Sequence, residues 1–101
     1  MRPLRWSRRA TRDLVEIGDF IAADDPVAAR RWVERLRARA ALAAVAPLGG
    51  RRVPELDRDD VRETFLRTYR IVYRVLPKEV VVLTVSEGHR RLPPIDPDAA
   101  A

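Results

Sequence analysis

The hydrophobic repeat of this chain changes once, and the change fixes what the chain can fold into. Up to residue 46 the apolar residues recur every three or four positions, the repeat of a helix with one buried face. After Gly49-Gly50 they alternate, the repeat of a strand with one buried face. A helical half followed by a stranded half, each with an apolar face to cover, predicts an α+β domain in which helices pack on one face of a sheet.

In the first half, "PLRW" at 3–6 reads as a short opening strand, with Ser7 as the N-cap of a helix that follows. Ala10, Leu14, Ile17 and Ile21 form its inner stripe, and Arg12, Asp13, Glu16 and Asp19 lie off that stripe. "ADDPVAA" then stops and restarts the helix. Asp25 is placed to cap, and Pro26 suits a first helical position, where no N–H is needed. The second helix, about 26–46, carries Ala29, Val33, Leu36, Ala40 and Ala43 inward and ends at Pro47 and the glycines. So short a connection makes the two helices an antiparallel hairpin.

In the second half, "VRETFL" (61–66), "YRIVYRV" (69–75) and "VVVLTV" (80–85) are three strands joined by short turns, an antiparallel meander. The last is apolar on both faces and is expected inside the sheet, covered on both sides. Residues 1–93 read as one domain. "LPPIDPDAAA", with three prolines and no periodicity, reads as an extended tail over 94–101.

Composition excludes several classes. There is no cysteine, hence no disulfide and no thiolate metal site, and no apolar run reaches membrane-span length. These features predict a soluble, cytoplasmic protein. One histidine and no carboxylate cluster with ligand spacing argue against a metal centre. "PLGGRRVPEL" lacks the Lys-Ser/Thr ending of a phosphate loop, and no cofactor is expected. The net charge of +5 comes almost wholly from arginine. Ten arginines face six acids in residues 1–50, and ten cations face nine acids in 51–101, so the excess is spread thinly rather than gathered into a nucleic-acid footprint.

Two clusters of cations stand out. In the middle strand Tyr69, Ile71, Tyr73 and Val75 alternate with Arg70, Val72 and Arg74. If the helices cover the tyrosine face, Arg70 and Arg74 stand on the open face, where they need solvent, an anion or an acidic partner such as Glu63. After the last strand, "EGHRR" places His89, Arg90 and Arg91 together beside Gly88, a position that allows a bend or a close backbone approach. Arg70, Arg74, His89, Arg90 and Arg91 are therefore expected to form one cationic patch on the open side, for a target or a partner. On helix two, Arg31, Arg35 and Arg39 make a like-charged ridge that reads as a solvated face beside Glu34.

The ordered set "ATRDLVEIGDFIAADDPVAARRWVERL", "PLGGRRVPEL", "VRETF", "YRIVYRV" and "VVVLTVSEGHRRLP" resembles the RelE/ParE superfamily of bacterial type II toxins over roughly residues 4 to 93. The resemblance implies the same helical hairpin on an antiparallel sheet. It also implies a hetero-oligomer with a ParD-like antitoxin whose C-terminal segment wraps the toxin; DNA is then met only indirectly, through the antitoxin. RelE-like members are ribosome-dependent mRNA endonucleases, and by that resemblance Arg70, His89 and Arg90 would be catalytic. Glu63 stands where those proteins carry lysine, and the tail has no tyrosine. The long second helix and "GHRRLP" are closer to ParE-like members. For those the resemblance implies inhibition of DNA gyrase without bond chemistry by the toxin itself. The alternatives are a RelE-like endoribonuclease and a non-toxic basic binding module.

Overall fold

The computed structural model describes residues 2–99. The chain runs β1 (Leu4–Trp6), α1 (Arg8–Ala22), α2 (Pro26–Val45), a 3-10 turn (Pro47–Gly49), β2 (Arg51–Arg52), β3 (Val61–Leu66), β4 (Tyr69–Val75) and β5 (Val80–Glu87), with a last 3-10 turn at Pro97–Ala99. Both helix starts are capped by the expected residues. Ser7 Oγ accepts from the Ala10 N–H, and Asp25 Oδ1 accepts from the N–H groups of Val27 and Ala28.

The five strands form one sheet in the order β1-β5-β4-β3-β2. Every pair is antiparallel except β1 and β5, where Leu4, Arg5 and Trp6 lie beside Val80, Val81 and Val82. A parallel pair requires a long crossover, and the helical hairpin supplies it. β5 is interior, as its apolar text demands, one strand in from the edge. Opposite β4 its register slips: Val72 pairs with Thr84 and Tyr73 with Val82, leaving Leu83 without a partner of its own.

The hairpin covers one face of the sheet. Ala10 and Leu14 of α1 and Leu36 and Ala40 of α2 bury against Ile71, Val82 and Val85. Ile17 and Val33 are only partly buried at the margin of this core. Tyr73 and Val80 pack with Ala43 nearby, and the Tyr73 hydroxyl donates to the Pro47 carbonyl at 2.7 Å.

The opposite face is not open, contrary to the expectation from alternation. Val53 and Leu56, from the connection between β2 and β3, and Leu92 and Ile95, from the chain after β5, lie over Val61, Val72, Val81 and Leu83. A sheet apolar on both sides needs two covers, and one hairpin supplies only one. The C-terminal segment is extended up to its 3-10 turn, but it packs against the sheet, with Pro97 buried. Residues 100–101 lie outside the described residues.

A second departure concerns Asp13, which its place off the stripe assigned to solvent and which is buried. β1 ends at Trp6, so the edge of β5 beyond Val82 has no strand beside it. Asp13 Oδ2 accepts from the Val85 N–H at 3.1 Å and from the Thr84 hydroxyl at 2.5 Å, while Ser7 Oγ donates to the Leu83 carbonyl. The first turns of α1 thus satisfy the sheet edge that β1 leaves bare.

Candidate docking site at the exit of the last strand

The five residues singled out in the sequence, four arginines and His89, fall into two groups with opposite fates. Arg70 is buried on the second face. Its Nη1 and Nη2 donate to the two oxygens of Glu55 at 2.8 and 2.7 Å, and its Nε donates to Glu63 at 2.5 Å. Glu63 is wholly buried and also accepts from Arg51 Nε. The fork of one guanidinium is therefore spent on two carboxylates, the bidentate geometry that arginine favours. The hydrogen bond from Arg70 holds the Glu55 carboxyl down to about 2, well below its ordinary range. The same two acids push Arg70 upward, Glu55 most.

Arg74 is also committed. Its Nε donates to Asp60 at 3.0 Å and its Nη1 to the Pro97 carbonyl at 3.2 Å. Arg58 joins Asp60 and Asp98 at 2.8 and 3.0 Å, tying the connection before β3 to the C-terminal turn. The guanidinium groups beside them, that of Arg58 most, hold the Asp60 and Asp98 carboxyls below their usual range. These pairs seat the two covers on the sheet and leave neither Arg70 nor Arg74 free for a ligand.

The second group sits where β5 leaves the sheet. Gly88 donates its N–H to the Thr68 carbonyl at 2.5 Å, and a Cβ at this position would lie 2.8 Å from that oxygen. Glycine is needed here for close backbone approach, not for an unusual backbone angle. The chain then turns outward and presents His89, Arg90 and Arg91, all exposed and, among the described residues, without an ion-pair partner. Arg90 and Arg91 line a groove of about 380 Å³ between α1 and the end of β5, with Ile17, Phe20 and Tyr69 among its apolar walls. Phe20 is 80% exposed, an unusual cost for a ring of that size in water. Burial raises the Tyr69 hydroxyl pKa, with a smaller push from Glu87.

The expected single patch is therefore divided. Arg70 and Arg74 share the loop-covered face with Val72, whereas Arg90 and Arg91 open beside α1 on the helix-covered side. The groove that Arg90 and Arg91 rim is mixed in character, with Arg9, Asp13, Glu16 and Glu87 beside its apolar walls, and His89 is exposed next to Arg90 without lining it.

A family profile described as "ParE toxin of type II toxin-antitoxin system, parDE" matches residues 4–92. The chain belongs to the ParE toxin family. It is 38% identical over 96 residues to "Putative toxin Y4kP" of Sinorhizobium fredii (strain NBRC 101917 / NGR234), across 91% of this chain and 94% of that protein. A solved structure described as "Chromosomal ParDE TA system from P. aeruginosa" superposes with a TM-score of 0.70 at 28% identity, covering 86% of this chain and 96% of the other. The α+β architecture and the ParE-like resemblance read from the sequence both stand.

Several structural residues of this ParE-family chain escaped sequence reasoning: Asp13, Glu55, Asp60 and Asp98. A signal existed for three of them. "ELDRDD" at 55–60 stacks four acids just ahead of two strands that carry inward arginines, and Asp98 is one of two acids in the C-terminal segment. Asp13 gave none, since nothing local shows where β1 stops.

Proposed function

We propose that this ParE-family chain is a gyrase inhibitor held inactive in the cytoplasm by direct binding of a ParD-like antitoxin, and that it carries out no bond chemistry. The observation that carries the choice against a RelE-like ribonuclease is the state of Arg70. An RNA-cleaving site needs free cations to meet phosphate charge as it develops, and the guanidinium of Arg70 is buried between Glu55 and Glu63. Releasing it would leave a wholly buried carboxylate short of a partner. The family match over residues 4–92 supports the toxin reading itself. His89, Arg90 and Arg91, exposed beside the α1 groove, are the rim through which target or antitoxin docks.

The test is a cleavage assay with plasmid, gyrase, ATP and purified toxin, scored for linear DNA after protease treatment. Linear plasmid should accumulate, and the antitoxin should suppress it. Arg90→Ala with Arg91→Ala should leave the thermal midpoint unchanged and reduce either linear DNA or antitoxin affinity. Untouched supercoiling by a protein that still arrests growth and cuts ribosome-bound message would overturn the proposal.

A further inference from the structure

The groove between α1 and the end of β5 holds both signs of charge. Glu16 of α1 and Glu87 of β5 line it together with Arg90 and Arg91. Among the described residues none of these four forms an ion pair. The other two charges in the groove, Arg9 and Asp13, are already joined, with Arg9 Nε donating to Asp13 at 3.1 Å. Two acids and two arginines thus share one groove without meeting each other. Phe20 stands among them, 80% exposed, four residues on from Glu16 and so beside it on the surface of α1.

A surface of this make-up suits few partners. A nucleic acid, or any uniformly acidic chain, would satisfy Arg90 and Arg91 but bring like charge onto Glu16 and Glu87, and a uniformly basic chain would do the reverse. The matching partner carries the same balance of charge, with the signs exchanged, around an apolar centre. A two-fold axis supplies one, because an isologous interface sets residue i against j and j against i, so that a single patch serves both sides. The net charge also favours this place. Two copies carrying +5 each repel over most approaches, and the repulsion is least where acids and arginines are equal in number.

We propose that two copies of this chain pair about a two-fold axis through the groove beside α1. Phe20 of each copy enters the groove of the other against Ile17 and Tyr69, and Arg90 and Arg91 of each meet Glu16 and Glu87 of the other. A buried ring at the centre with charges at the rim is the usual anatomy of a specific interface, and a groove of about 380 Å³ has room for the ring. This goes beyond the docking role given to the rim above: in the free protein Arg90 and Arg91 meet a second copy, whatever the target is. A contact confined to one groove lies at the small end of protein interfaces, so a dissociation constant above about 1 µM is expected.

The test is sedimentation velocity of the purified full-length chain over a dilution series, with two charge-reversed variants. Arg90→Glu/Arg91→Glu leaves acids where the two arginines were, and Glu16→Arg/Glu87→Arg leaves arginines where the two acids were, so each variant alone should self-associate at least about tenfold more weakly than the parent. Mixed in equal amounts, the two variants should pair with each other about as tightly as the parent pairs with itself. Phe20→Ser should also weaken the parent dimer at least about tenfold. Circular dichroism checks that each variant is folded. Should Glu16→Arg/Glu87→Arg not fold, Glu16→Arg alone serves, since Glu16 is exposed, with a gain of about threefold on mixing. A parent that stays monomeric up to about 500 µM, a dimer indifferent to Phe20→Ser, or a mixture that associates no better than its components would overturn the proposal. Neither gyrase nor an antitoxin enters the measurement, so its failure and a failed gyrase assay are separate results.

Discussion

Arg70→Leu is expected to act on the fold and not on a contact with the target. The Arg70 and Glu63 side chains are 6% and 0% exposed, and among the described residues Arg70 is the only buried cation that reaches Glu63. Removing it leaves a buried carboxylate held by Arg51 alone, a residue 66% exposed. Breaking a buried pair from one side costs about 3–5 kcal/mol. The Glu55 arm adds little, because Glu55 is 42% exposed and regains water when released. A loss of about 3–4 kcal/mol, at about 4–8 °C per kcal/mol for a domain of this size, lowers the thermal midpoint by about 12–32 °C. The double variant Glu63→Leu/Arg70→Leu removes both buried charges, and its stability should return to within about 1.5 kcal/mol of the parent. Denaturation of the parent, the two single variants and the double variant, followed by circular dichroism, gives the coupling energy, expected above about 1.5 kcal/mol. A folded double variant that still makes linear plasmid with gyrase would place Arg70 outside the target contact. The reasoning fails if Arg70→Leu loses less than about 1 kcal/mol, or if the effects of the single variants simply add.

Three further outcomes follow from the same geometry. Asp13→Ala strands the Val85 amide and the Thr84 hydroxyl and should destabilise by about 2–4 kcal/mol, with fast hydrogen exchange at Val85 as its signature. Acid should weaken the fold as pH falls from the ordinary carboxyl value of 4.5 toward about 2: the folded-state pKa of Glu55 is depressed, so its contribution is full above that window and lost within it. The pH dependence of the urea midpoint checks this, and Glu55→Gln should make it shallower, with Asp60 and Asp98, also held down, supplying the remainder. Gly50→Ala would bring a Cβ within 2.2 Å of the Tyr73 hydroxyl and 2.6 Å of the Glu63 carbonyl, so a loss of about 1–3 kcal/mol is expected, read in the same denaturation.

The parts of the fold that were legible early rest on local rules. Helix caps at Ser7 and Asp25 and the switch to alternation after Gly50 are short-range stereochemistry, and the strands appear where alternation put them. β5 ran two residues further than its apolar text, through Ser86 and Glu87, because β4 still pairs with them at Arg70 and Tyr69. Of the candidate site, only the residues at the exit of β5 are exposed. Gly88, His89, Arg90 and Arg91 are exposed or half-buried neighbours along the chain, and no distant residue needs to arrive to define them.

The sequence by itself determined the class: two helices with one apolar stripe each, then alternating strands, leave an α+β hairpin-on-sheet as the arrangement that buries every stripe. Tertiary structure decided which arginines are free. A guanidinium reads the same in a sequence whether water or a carboxylate surrounds it, and the partners lie far off along the chain, Glu55 fifteen residues from Arg70 and Asp98 forty from Arg58. Alternation assigns a side chain to a face but not what covers that face. Only the packing of residues 53–60 and 92–99 over the sheet turned Arg70 and Arg74 from a binding patch into internal ties. Of the patch expected from the sequence, that left only His89, Arg90 and Arg91 exposed.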